Sequence, residues 1–327
     1  MRTAKPWSLP TQPASRSTLR AIGVTGEMLT TALRRRRLVR VRRGVYLAAE
    51  AWPDDPAERH LIRARAELAV DPDAVISRQS AAIVWGLPCP GNVPWHDLPA
   101  SVSLPAGGGR RARSNGTTHH VEQLPASHLS RDPDGYAVTG PARTAVDLAA
   151  GLPVPEALVI LDAAARLLCD SFVTTPRRSD YARPVLAGAA RDLLTDMAQF
   201  RRVTRLLPGI GLADPRRESA AESLSAGHFH LAGLPSPECQ APVRTAEGRF
   251  YPDFLWPEHG VIGECDGAVK YASDPDAIVR EKLREQALRD AGFLVVRWLA
   301  VEIMTRPGVV VERVERALAG TARSASG

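Results

Sequence analysis

One helix in the last third of the chain is punctuated at both ends, and it constrains the fold more than any other feature. Asp274 precedes it, Pro275 opens it and Gly292 lies just beyond its end, so the spacing predicts a helix over 275–291. Before it, apolar periodicity predicts a helix over 216–231 and strands over 239–245, 249–255 and 260–266. After it come a strand over 293–299 and a helix over 307–319. Three consecutive strands, a crossover helix and a fourth strand give an α/β sandwich with a mixed sheet. The expected class is α/β (mixed α+β).

That frame brings carboxylates together. Asp253 ends Tyr251-Pro252-Asp253, and Glu264 sits within Val261-Ile262-Gly263-Glu264-Cys265-Asp266-Gly267. Paired strands run about 4.8 Å apart, so two carboxylates on one face can grip one hard cation. Mg²⁺ takes oxygen ligands at about 2.0–2.1 Å and keeps several waters. It would polarise a phosphodiester and lower the pKa of an attacking water. Glu264 and Asp266 stand two apart on a strand and share a face, while Phe254, Val261 and Ile262 read as strand core. Acids flanking strands are often only exposed ends. Against that stand Pro-Asp-Phe, Glu-x-Asp-Gly and the capped helix, occurring in order. His228, His230, His259, Cys239 and Cys265 fit no standard zinc spacing, so zinc is not expected.

Charge marks the other end of the chain. The formal balance is +6 over 327 residues, yet residues 1–48 hold eleven bases against one acid, Glu27, a local +10. Such a footprint binds polyanions. Residues 1–14 read as a flexible arm rich in Pro, Thr and Ser. A short helix is predicted from Ser15 to Ile22, then a turn at Gly23, then a helix capped by Thr25 with Met28, Leu29, Ala32 and Leu33 on one face. Arg34, Arg35, Arg36 and Arg37 crowd its exit. Leu38–Leu47 follows as two alternating strands around an Arg-Arg-Gly turn, a hairpin signal carrying Arg40, Arg42 and Arg43. Helix, turn, helix and basic hairpin over 15–50 is the plan of a winged helix-turn-helix, whose second helix enters the major groove while the hairpin touches backbone or minor groove. These seven arginines are the expected DNA contacts, some of them to phosphates alone. A basic run can be merely a solvated face, but here it coincides with a helix exit and a hairpin turn.

Residues 55–170 read as a middle α/β module, with helices over 55–70, 77–85, 142–150 and 155–169 and strands near 98–104, 117–123 and 135–139. The segment 171–214, with a helix over 183–206, reads as a helical linker to a last domain over 215–320. Gly107-Gly108-Gly109 has no phosphate-loop lysine after it, and adjacent His119 and His120 point to opposite strand faces. Four cysteines without a CxxC pair read as reduced thiols. The start lacks the apolar core of a signal peptide, and no apolar run approaches the ~18–20 residues of a membrane span. The expectation is a cytoplasmic protein with no membrane partner.

Two family resemblances carry these readings further. Residues 15–48, followed by Ser77-Arg78-Gln79-Ser80-Ala81-Ala82 and Val138-Thr139-Gly140-Pro141-Ala142-Arg143-Thr144-Ala145-Val146-Asp147, resemble the AbiEi-type antitoxin family. That resemblance implies a winged-helix head, often autoregulatory, with a trailing interaction domain. It also implies duplex DNA as partner, a toxin operon or the protein's own promoter. Residues 216–319 resemble the PD-(D/E)XK nuclease superfamily in its very-short-patch-repair-like branch, which has a restriction-endonuclease-like αβββαβα core. The pattern is Pro252-Asp253-Phe254, then Glu264-Cys265-Asp266-Gly267, then Arg280-Glu281-Lys282-Leu283-Arg284-Glu285 with Leu288, Gly292 and Val296-Arg297-Trp298. By that resemblance Asp253 and Glu264 hold the metal, with the Cys265 carbonyl as a third ligand. A glutamate of the preceding helix joins them, and of Glu218 and Glu222, which share a face at i, i+4, Glu222 is favoured.

One position departs. The superfamily's lysine, two residues after the glutamate, is Asp266 here, as is frequent in this branch. Lys270, in the next loop, or Lys282, on the next helix, is left to supply the positive charge. The expected activity is hydrolysis of DNA phosphodiesters with Mg²⁺, or with Mn²⁺ in its place. The alternative is a non-catalytic repressor or antitoxin of a type IV toxin–antitoxin system, with a degenerate nuclease-like scaffold. Charge alone leaves RNA open as a substrate.

Overall fold

A computed structural model describes residues 7–106, 116–267 and 275–324; Gly107, Gly108, Gly109, Lys270 and Asp274 lie outside them. The class is mixed α/β, and the chain divides into two compact units, residues 1–148 and 149–327.

The first unit opens with β1 (Ala14–Ser15), α1 (Arg16–Ala21), α2 (Gly26–Arg34), β2 (Leu38–Arg42) and β3 (Val45–Ala48). The strands form an antiparallel sheet in the order β1-β3-β2. Ser15 and Thr25 cap the two helices, their hydroxyl oxygens accepting from the Thr18 and Met28 amides at 3.1 and 3.2 Å. Leu19, Val24, Leu29, Ala32, Leu38 and Tyr46 fill the core. At the exit of α2, Arg36 takes a left-handed φ of 54°, the Arg36 amide donates to Leu33 O and the Arg37 amide to Ala32 O. This is a Schellman closure with arginine where glycine is usual, and it turns the basic run into β2.

The same unit continues through α3 (Pro56–Leu68), β4 (Val75–Ile76), α4 (Arg78–Trp85), β5 (Ala100–Pro105), β6 (Thr117–Glu122), β7 (Leu129–Arg131), β8 (Ala137–Thr139) and α5 (Pro141–Ala149). Its five strands lie in the order β6-β5-β4-β8-β7, with β5–β6 and β4–β8 parallel. Ala64, Leu68, Ile76, Ala81, Val102 and Val138 make the core between helices and sheet.

The second unit begins with α6 (Val154–Ser171), α7 (Pro184–Phe200), α8 (Leu207–Leu212) and α9 (Ala220–Leu231). The two units part at 148, so α6, expected in the middle module, lies in the second. The cause is a close crossing of α6 and α9: a Cβ added at Gly227 would lie 2.4 Å from Pro155 Cα. The helix expected from 216 starts at 220, because Arg216 and Arg217 are held in the loop by Asp214 and Asp162. The helix expected to reach 206 stops at Phe200.

Next come β9 (Glu238–Cys239), β10 (Val243–Thr245), β11 (Gly248–Phe250), β12 (Phe254–Trp256), β13 (Val261–Asp266), α10 (Pro275–Asp290), β14 (Leu294–Leu299), α11 (Ala300–Thr305) and α12 (Pro307–Ser324). Two of the expected strands are each broken. Gln240, with a φ of 51°, and Pro242 separate β9 from β10; Pro252 separates β11 from β12. The sheet runs β14-β13-β12-β9, parallel only between β13 and β14, while β10 and β11 form a separate hairpin.

The two faces of this sheet differ. On one, Phe254, Trp256, Val261, Val296 and Trp298 pack with Phe229 of α9 and Val310 and Val314 of α12. Phe229 meets Phe254, Trp256 and Trp298 edge-on at 5.6–5.8 Å between centroids. Gly263 leaves room for these rings, since a Cβ there would lie 2.8 Å from Trp298 Cη2. Gly263→Ala is expected to cost about 1–3 kcal/mol, seen as a lowered urea midpoint. The other face carries Leu255, Ile262 and Val295 under Leu288 of α10. Alternation puts Asp253, Glu264, Asp266 and Arg297 on this second face. Among the described residues no helix is long and apolar enough to cross a membrane.

Candidate active site

Antiparallel pairing of Phe254 with Gly263 and of Leu255 with Ile262 carries Asp253 to the position opposite Glu264. Asp253 is held there by two donors. Its Oδ2 accepts from the Cys265 amide at 2.8 Å and its Oδ1 from Gln240 Nε2 at 3.0 Å. Glu222 reaches the same place from the first turn of α9. Ser219, the cap of that helix, donates to Glu222 Oε1 at 2.8 Å, and the Glu218 amide donates to Oε2 at 2.9 Å. These two bonds fold the carboxylate back over the helix start. Gln240 Nε2 also lies 3.4 Å from Glu222 Oε2, so one amide spans both acids.

Glu222, Asp253 and Glu264 thus come from three elements to one cavity of about 710 Å³. Burial, and then the charge of Asp253, push the Glu222 carboxyl up to about 7. Glu218, the other candidate, is exposed and pairs instead with Arg178 at 3.3 Å. The Cys265 thiol packs with the aromatic core and burial pushes its pKa up, which leaves its backbone, and not its sulfur, as the group able to serve the site.

Among the described residues no group of three or more His, Cys, Asp or Glu side chains is spaced to hold a metal ion. Gln240, the Cys265 amide and Arg284 donate to these carboxylates. The donor chemistry still suits a hard divalent cation: the oxygens are carboxylate oxygens, Glu222 and Glu264 are buried, and Asp253 raises the proton affinity of Glu222.

No protein-family model matches the sequence. Two curated proteins from two strains of Mycobacterium tuberculosis, Uncharacterized protein Rv2248 and Uncharacterized protein MT2308, are each 30% identical to it over 298 residues, 90% of this chain and 97% of theirs. The chain belongs to their family.

In this family member the cavity is rimmed by cations that the sequence reading missed. Arg178, Arg249, Arg284 and Arg297 all line it. Arg284 Nη2 donates to Glu264 Oε1 at 2.7 Å. Arg297 grips Asp266 in a fork, Nε and Nη2 donating at 2.9 and 2.7 Å. Lys282 is exposed, while Arg284, two residues on, meets Glu264.

In the first unit Arg34, Arg35, Arg36, Arg37, Arg40 and Arg43 are exposed. Arg42, the seventh of the expected contacts, is placed differently. A bulge between Arg40 and Arg42 breaks the alternation of β2. The Arg42 side chain turns inward and pairs with Glu67, a buried acid of α3. His119 and His120 find separate partners, Glu67 at 3.1 Å and Ser101 Oγ at 3.0 Å.

Proposed function

We propose that the second unit is a metal-dependent nuclease and that the first unit supplies its affinity for duplex DNA. The observation that supports this most is the convergence of Glu222, Asp253 and Glu264 on one cavity whose rim carries four arginines. Carboxylates that can hold a cation, ringed by guanidinium groups, suit a phosphodiester. Asp253, Glu264 and the Cys265 carbonyl would hold Mg²⁺ or Mn²⁺, with Glu222 beside them. The cation, when bound, polarises the phosphate and lowers the pKa of a water. Glu222, with its carboxyl near 7, is able to take a proton at neutral pH. The test incubates supercoiled and linear DNA with Mg²⁺, Mn²⁺ or EDTA. Metal-dependent nicking is expected, and Asp253→Ala is expected to remove it while leaving the gel shift intact. Nicking that survives Asp253→Ala would refute the assignment.

A second reading has its own support. Arg284 holds Glu264 and Arg297 holds Asp266, which suits a scaffold without catalysis that acts as a repressor or antitoxin. A salt-sensitive gel shift without cleavage under either metal would select it.

Under both readings the exposed arginines at the α2 exit meet phosphate. Replacing Arg34, Arg35, Arg36 and Arg37 with alanine is expected to flatten the dependence of log K on log salt by up to about 0.9 per lost phosphate contact. Arg42→Ala should leave that slope alone and lower stability instead, because its partner is the buried Glu67.

A further inference from the structure

Helix phase explains why Arg284 reaches the site. Leu288, buried on Ile262 and Val295, fixes one side of α10 against the sheet, and Arg284 lies one turn earlier on that side. This sets its guanidinium at the carboxyl end of β13, where Glu264 stands. The two partners differ in exposure. The Glu264 side chain is 7% exposed and that of Arg284 is 27%, so the carboxylate is enclosed while the guanidinium still faces the cavity.

Arginine carries five donors in a planar fork and stays charged. The Arg284 fork can release the Glu264 oxygen that it holds and take two phosphate oxygens in one plane. Arg297 is placed differently, since its fork is closed on Asp266 and its Nη1 lies 3.4 Å from Glu285. Gln240 repeats the logic of Arg284 on the far side of the cavity, its amide bridging Glu222 and Asp253.

We propose that Arg284 is the phosphate-receiving cation of this site, and that its ion pair with Glu264 is a resting partnership exchanged when substrate and metal bind. This rests on the nuclease reading. Nucleic acid draws Arg284 onto a phosphate and opens the Glu264 Oε1 that it held to the cation, so each ligand tightens the other by the same factor. Arg284 thereby takes a role for which the exposed Lys282 is not placed.

The test compares wild type with Arg284→Gln and Arg284→Lys, using Mn²⁺ alone and then Mn²⁺ with a short duplex. Without nucleic acid, Arg284→Gln is expected to bind Mn²⁺ roughly tenfold more tightly than wild type by paramagnetic resonance titration. In single-turnover cleavage the same variant is expected to be about a hundredfold slower, with Arg284→Lys between it and wild type. Equal Mn²⁺ affinity in wild type and Arg284→Gln overturns the exchange, and equal cleavage rates overturn the phosphate role. A wild type that cuts nothing overturns the nuclease reading itself, whereas a cutting wild type matched by Arg284→Gln overturns only the role of Arg284.

Discussion

Raising the pH from 5 to 8 is expected to destabilise the second unit, and Glu222→Gln to remove that loss. Glu222 has a folded-state pKa of about 7, against the ordinary 4.5 expected in the unfolded chain. Between those values the folded state binds the extra proton, so stability falls as pH rises. The full difference corresponds to about 3 kcal/mol, lost as pH passes from the unfolded value through the folded one. Burial is the larger cause and Asp253 the second, so Asp253→Asn should recover only the smaller part. Urea midpoints at pH 5 and pH 8 for wild type and Glu222→Gln give the measurement. Other acids titrate in both proteins, so the difference between the two pH profiles carries the result. Matching profiles would remove Glu222 as the buried, charge-loaded member of the cavity. Mn²⁺ added at pH 8 should restore wild type more than the variant, because a cation relieves the same repulsion that the proton relieves.

The acids of this cavity were legible because strand alternation and helix spacing are local rules. Glu264 and Asp266 share a face by period two, Asp253 falls opposite Glu264 once the strands pair, and Glu222 shares a helix face with Glu218, the family resemblance choosing between them. The cations were not legible, and α10 shows why. Leu283 is the apolar residue in Arg280–Glu285, yet it is 64% exposed, while Leu288 is buried at 1%. Phasing the helix on Leu283 points Arg284 away from the sheet; phasing it on Ala287 and Leu288 points it inward. Tertiary packing chose the second, and a search confined to lysines could not find an arginine. Gln240 is hidden for another reason. Its left-handed φ of 51° belongs to a conformation that side chains seldom adopt, and no propensity announces it. The inward turn of Arg42 depends on a one-residue bulge, which reverses alternation without changing the composition of the hairpin.

The largest stability loss is expected from Arg143→Met in the first unit. Arg143 is wholly buried in α5, and its guanidinium stands between two acids. Nε donates to Asp147 at 2.7 Å, Nη2 pairs with Glu122 at 3.0 Å, and Nη1 donates to Gln123 O at 3.2 Å. Glu122 is tied in turn to Ser103 and, at 3.5 Å, to Arg78. Methionine fills much of the volume but leaves Asp147 and Glu122 as buried acids without their central cation. Breaking such a cluster from one side costs about 3–5 kcal/mol, far more than the pair adds over apolar residues of the same size. The double variant Arg143→Met with Asp147→Leu should therefore be more stable than Arg143→Met alone, because it removes one stranded charge. Chemical denaturation followed by an N-terminal-unit probe separates the cases. A loss below about 1 kcal/mol for Arg143→Met would mean that water reaches the acids and that the cluster is not sealed. The expected non-additivity of the double variant is the sharper sign, since groups in contact or in one ion-pair network couple in this way.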